Sequence, residues 1–146
     1  MQSAELDAML GSLDRERIET TIRTVHALHS QAKYDALERY FACDVVFEYV
    51  GDKRRFPYAG RYEGAAAIIS LLKTVNTEIE TLKSTLLELL FDGNRAFSRR
   101  RLHVRHRGTG IQLTHEIWDI WRFRDGLIQD SQKLIDIRAY AHMQGE

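Results

Sequence analysis

Asp119 is the residue in this 146-residue sequence best placed to do chemistry. It sits in a stretch, 111–123, whose residues alternate between two faces. One face is Ile111, Leu113, His115, Ile117, Asp119, Trp121 and Phe123; the other carries Gln112, Thr114, Glu116, Trp118, Ile120 and Arg122. The first is the apolar one and is expected to face the interior. An ionised carboxylate in apolar surroundings costs roughly several kcal/mol unless paired. Asp119 is therefore either the partner of a buried base or the holder of a proton that a ligand can take. The preceding segment, 95–107, offers the base. Its aliphatic parity is Ser98, Arg100, Leu102, Val104 and His106, which makes Arg100 the lone inward arginine. Arg100 could neutralise Asp119 or bind a substrate anion.

Other residues could join them. His29 falls on the apolar stripe of a helix and His115 on the apolar strand face, where each is a hydrogen-bonded core residue or a catalytic partner. Tyr49 and Tyr58 are buried or rim aromatics. Lys133 shares a parity with Ser131 and Ile135, but its strand is apolar on both faces, which leaves its direction open. His103 and His106 have an H-x-x-H spacing, but positions three apart on a strand point to opposite faces, so no shared metal is expected. The outward parity Arg99, Arg101, Arg105 and Arg107 is a basic ladder. It reads as a nucleic-acid patch, a subunit interface, or a solvated face balanced by Glu78, Glu80 and Glu88. The 21 Lys+Arg cancel the 21 Asp+Glu, which argues against nucleic acid. No glycine-rich phosphate loop follows a strand, so nucleotide binding has no support, and no nucleophile elbow or Cys-His motif is recognisable.

The elements that must position these residues follow from periodicity and turn signals. Ser3 caps a short helix that Gly11 should end. A longer helix spans roughly 14–31, with Ile18, Ile22 and Val25 on one stripe. His26 and His29 lie on the same stripe. A short helix carries Tyr34, Leu37, Tyr40 and Phe41. Val45, Phe47 and Tyr49 then alternate with Val46, Glu48 and Val50, a strand pattern. Residues 51–64 read as a loop, and 63–80 as a helix with Ile68, Leu71, Leu72, Val75 and Ile79 on one face. Four long strands are expected over roughly 81–91, 95–107, 111–123 and 127–137. Asp92-Gly93-Asn94, Gly108-Thr109-Gly110 and Asp125-Gly126 separate them as hairpin turns. Residues 138–144 form a short helix or a tail.

With 44% hydrophobic and 29% charged residues, the chain reads as a single domain, 1–146, with 1–13 as an N-terminal extension. A chain of this length buries about 68–70% of its unfolded surface and needs no staple. The one cysteine, Cys43, excludes an intrachain disulfide and a cysteine-based zinc site. Acids precede Gly11 where a signal peptide would carry bases, and the apolar runs fall short of the roughly 20 residues of a membrane span. A cytoplasmic protein with no membrane contact is expected. The fold class is α+β: a curved antiparallel sheet in the order α-α-β-α-β-β-β-β, with the N-terminal helices packed on its concave face.

Three stretches carry a family resemblance: Tyr40 to Glu48, Tyr58 to Gly64, and Trp118 to Ile128, the last being a strand-turn-strand. On them the chain resembles the SnoaL-like branch of the nuclear transport factor 2-like superfamily, which includes ketosteroid isomerases. The resemblance implies a cone-shaped α+β barrel, open at one end, that holds a small apolar ligand without a cofactor. It also implies a homodimer formed through the outer sheet face. Known activities include steroid-ketone isomerisation, polyketide cyclisation, dehydration and epoxide hydrolysis. Ketosteroid isomerases use a general-base Asp with an oxyanion pair of Tyr and protonated Asp. The protonated Asp matches Asp119, the base matches Tyr49, and the oxyanion Tyr matches Val25. Tyr49 is no base near neutrality, so the carry-over is partial.

Together these readings predict general acid–base chemistry on a small apolar carbonyl or hydroxyl compound. Asp119 would carry the proton, with Tyr49 and His29 as donors to a developing oxyanion. Arg100, His115, Lys133, Trp121, Phe47, Val25 and Tyr58 would line the substrate site. The alternative is a non-catalytic ligand-binding or dimerisation module, in which Asp119 and Arg100 are a plain buried pair.

Overall fold

The computed structural model describes residues 2–146. Helix α1 runs Gln2–Ser30, followed by a 3-10 helix Tyr34–Tyr40, strand β1 Phe41–Val50, β2 Gly60–Glu63 and helix α2 Ala65–Glu78. Strands β3 Ile79–Asp92, β4 Arg95–His106, β5 Gln112–Arg124 and β6 Leu127–Leu134 come next, and helix α3 Ile137–Met143 closes the chain. The α+β class and the three-hairpin meander from β3 to β6 are as expected.

One six-stranded sheet has the order β2-β1-β6-β5-β4-β3. It is mixed, not wholly antiparallel: β1 pairs with β6 in parallel, with Tyr49 opposite Lys133 and Phe47 opposite Ser131. The meander leaves β6 with a free edge, and β1 reaches it from the far end of the chain. Such a pairing direction is a non-local property that no local pattern carries. Register shifts in the β3–β4, β5–β6 and β1–β6 ladders mark β-bulges, which bend strands.

Three local expectations are corrected. The predicted short helix and its successor are one continuous α1, because Gly11 does not take the positive φ of a C-cap glycine. A single glycine inside a helix costs about 1 kcal/mol, too little to end it. The predicted loop 51–64 contains β2, which pairs antiparallel with β1 through Val46–Glu63 and Tyr49–Gly60. The final strand stops at Leu134, and Asp136 instead caps α3 by accepting from the N–H groups of Arg138 (2.9 Å) and Ala139 (3.3 Å).

The core lies between the sheet and the helices. Ile18, Ile22 and Val25 of α1, and Ile68, Leu71 and Leu72 of α2, bury against the inward residues Val45, Phe47, Leu102, Val104, Ile117, Trp121 and Phe123. The inward parities of β4 and β5 are those expected: Ser98, Arg100, Leu102 and Val104 are buried, as are Ile117, Asp119, Trp121 and Phe123. Three of the four outward arginines meet acids. Arg99 bonds Glu88 (3.2 Å) and Glu116 (2.7 Å), while Arg105 (2.7 Å) and Arg107 (3.0 Å) share Glu80. The basic ladder is thus balanced by acids of the same face at Arg99, Arg105 and Arg107. Among the described residues, no helix is long and apolar enough to cross a membrane.

Candidate active site in the cavity beneath the sheet

Strand register assembles the site. Ser98 lies opposite Asp119, Asp119 opposite Lys133, and Lys133 opposite Tyr49, so four polar side chains form one row across β4, β5, β6 and β1. All four are buried, and Asp119 is 0% exposed. Arg100 pairs in register with Ile117, two positions along the same inner face, and so approaches Asp119 diagonally. Its Nη2 donates to Asp119 Oδ2 at 3.3 Å. Lys133 Nζ stands 3.8 Å from Oδ1, and His26 Nε2 stands 3.8 Å from Oδ2. Ser98 makes a long 3.5 Å contact with Oδ2 and accepts from Trp121 Nε1 at 2.9 Å.

Several buried polar atoms of this cluster have no partner: Asp119 Oδ1, Arg100 Nε and Nη1, both ring nitrogens of His26, and Nδ1 of His29 and of His115. They line two adjacent cavities, a first and a second lobe. The first is walled by Val25, His26, His29, Phe47, Arg100, Asp119, Trp121, Ser131 and Lys133, with aliphatic closure by Leu37, Ile68 and Leu72. The second holds His29, Tyr34, Tyr49, His115, Lys133 and Tyr140 among apolar neighbours. Both share His29, Leu72 and Lys133. The lobes offer about 40 and 50 Å3 to the centre of a water molecule. One water needs about 10–15 Å3 of such space, so each lobe admits a few waters or part of a ligand. A surface groove between α1 and β3 also reaches His26 and Arg100.

The electrostatics follow from burial and from the cations. Burial, then Arg100 and Lys133, push His26 well below the usual histidine value; burial, then Lys133 and Arg100, do the same to His29. Both imidazoles are neutral near pH 7. His115 is lowered by burial, against an opposing pull from Asp136. Burial raises the Tyr49 phenol, and the Asp119 carboxylate adds to the effect. Lys133 is brought down to about 8 by burial, despite Asp119 beside it. Its ammonium is therefore a proton donor poised just above neutrality.

Of the residues singled out in the sequence, Asp119, Arg100, His29, Lys133, Trp121, Phe47 and Val25 converge on the first lobe. Tyr49 and His115 line the second. Tyr58 lines neither: its hydroxyl donates to Glu78 at 2.7 Å. That carboxylate also accepts from Tyr140 (2.9 Å) and His106 Nε2 (2.9 Å), forming a separate polar latch. Sequence reasoning placed His26 on the right stripe but gave it no role, although it faces Asp119. Its spacing, four residues after Ile22, was the available signal. Ser98 was legible only as inward-facing.

A bent sheet roofed by helices over a polar-floored cavity defines the cone-shaped α+β ligand-pocket class. The family can be stated more narrowly: the chain belongs to the SnoaL-like domain family, whose model matches residues 22–131. No curated protein matches it. Among solved structures, an NTF2-like protein of unknown function from Burkholderia pseudomallei has a TM-score of 0.77 at 17% identity, covering 89% of this chain and 98% of that one. TerC, co-crystallised with polyporic acid, has a TM-score of 0.78 at 17% identity, with 89% and 99% covered. An LEH-like epoxide hydrolase from M. tuberculosis has a TM-score of 0.67 at 14% identity, with 84% and 85% covered. At these identities the likeness shows the fold.

Proposed function

We propose that the protein is a cofactor-independent general acid–base enzyme of the isomerase, cyclase or dehydratase kind, acting on a small apolar carbonyl or hydroxyl compound. The observation that carries this reading is the free Oδ1 of Asp119, fully buried at the cavity wall with a lysine 3.8 Å away. A carboxylate oxygen with no hydrogen-bond partner in the protein, faced only by the Lys133 ammonium, is available to take a proton from a ligand carbon or hydroxyl. Arg100 holds the other oxygen and so fixes the carboxylate's orientation. Lys133 and Tyr49 would donate to the oxygen on which negative charge develops. His29, at the junction of the lobes, would position the ligand. The epoxide hydrolase among proteins of this fold is in keeping with such chemistry.

The test is exchange of the hydrogens α to a carbonyl in D2O, followed by NMR across a panel of hydrophobic ketones. Asp119→Asn, compared with wild type at equal concentrations of folded protein as read by circular dichroism, is expected to slow exchange by about 10²–10⁴-fold. Equal exchange by the wild type and the variant would remove the proposed base.

The second reading, a non-catalytic binding module, draws on the Arg100–Asp119 pair and on the small lobes. Under it, ligands raise the melting temperature but no ketone exchanges.

For the assembly, we propose a homodimer through the convex sheet face. In register there, Leu90 lies beside Phe97 and Phe97 beside Ile120, with Trp118 packed on Phe97. Leu90, Trp118 and Ile120 are 54%, 45% and 44% exposed. An apolar patch of this kind is costly in water. Ultracentrifugation is expected to give a dimer, and Ile120→Glu a monomer.

A further inference from the structure

Among the described residues, the cavity has a charge imbalance that no second carboxylate corrects. Arg100 and Lys133 are both buried cations, and the anion between them is the single carboxylate of Asp119. The groups that face Lys133 from the surrounding elements supply no second negative charge. His26 and His29 of α1 are held neutral, and Tyr49 of β1 is held protonated. His115 of β5 is likewise depressed. Asp136, on the second lobe, is exposed and caps α3 with its carboxylate. Two of the Arg100 nitrogens, Nε and Nη1, point at no acceptor. An uncompensated buried cation is among the costliest features a fold can carry, and unsatisfied guanidinium N–H groups add to it.

We propose that the cavity is built for a small organic monoanion, whose ionised oxygen sits between Arg100 and Lys133 and whose apolar body fills the space beside Phe47, Trp121 and Leu72. The anion would bring the cluster to neutrality, two cations against two anions, and satisfy the free Arg100 donors. The inference rests on the reading of the two lobes as a ligand cavity and names the chemical class that cavity selects. A carboxylate and an acidic enol or phenol share this chemistry.

Paired probes test it: benzoate against benzamide, hexanoate against hexanamide, and p-nitrophenolate to separate phenolic from carboxylic anions, each by calorimetry, with sodium chloride as the inorganic control. At pH 7 at least one organic anion is expected to bind about tenfold or more tightly than its neutral counterpart, the factor one charge-assisted contact gives. In Lys133→Met that preference should collapse to parity. In the wild type the anion's affinity should fall as pH rises through about 8, because Lys133 is the facing group that loses charge there. This second readout needs no variant. Neutral amides binding as well as the acids would overturn the monoanion while leaving the ligand cavity intact. Binding of chloride alone would also overturn it. Failure of every probe would sink the cavity reading along with it.

Discussion

Lys133 shows how one buried side chain couples the stability of the fold to pH. A free lysine titrates at 10.5, whereas this one is brought down to about 8. The folded state therefore holds this proton less tightly than the unfolded chain does. Stability linked to Lys133 is fully present above the unfolded value and is lost as pH falls through about 8. At pH 7 the buried ammonium costs up to about 3 kcal/mol on the scale of 1.36 kcal/mol per pKa unit. Lys133→Met keeps the stem and removes the charge. It is expected to raise the urea midpoint at pH 7 and to flatten the wild type's rise in stability between about pH 8 and 10. A midpoint lowered at pH 7 would mean that the ammonium is net stabilising through Asp119.

At the scale of elements, the end of α2 is tied to three others by Glu78. It accepts from Tyr58 in the loop before β2, from His106 on β4 and from Tyr140 on α3. Thr109 N–H donates to His106 Nδ1 at 3.1 Å, so the ring's other nitrogen carries the hydrogen given to Glu78. Burial raises the Glu78 carboxyl, but the three hydrogen bonds outweigh it and hold the group below its ordinary value. Glu78→Gln weakens charge-assisted bonds and is expected to cost about 1–3 kcal/mol. Hydrogen exchange should show the loss first in α3, the shortest α-helix tied to the latch. Ligand affinity in the first lobe should change little, since Glu78 does not line it.

Across the whole molecule, three histidines with lowered values are expected to weaken the fold as pH falls. His26, His29 and His115 all bind protons less readily in the fold than in an unfolded chain, where histidine titrates near 6.5. The stability they contribute is complete above that value and is lost as pH falls towards their folded values. Each can remove up to about 1.4 kcal/mol per pH unit in that window. Urea midpoints measured at pH 7.5, 6 and 5 should fall steeply, and His29→Leu should make the decline shallower. An unchanged decline in that variant would place the acid sensitivity elsewhere.

Much of this was legible in the sequence because it depends on period and local chemistry. Alternation along 95–107 and 111–123 put Arg100 and Asp119 on inner faces, and a carboxylate among apolar residues required a partner or a ligand. Turn residues set the hairpins: Asp125 and Gly126 both take positive φ, as a type I′ turn demands, and a Cβ at Gly126 would strike the Arg17 guanidinium. The family resemblance was carried by equally local stretches, 40–48, 58–64 and 118–128. What the sequence left open was every relation between distant segments. The parallel pairing of β1 with β6 brings Tyr49 beside Lys133 and decides which way that lysine points. A strand apolar on both faces gives no directional signal of its own. Tyr58 left the cavity because Glu78, twenty positions away, offered its hydroxyl an acceptor. Burial, pairing direction and charge balance are properties of the closed molecule. Only the tertiary structure could show two buried cations around one carboxylate.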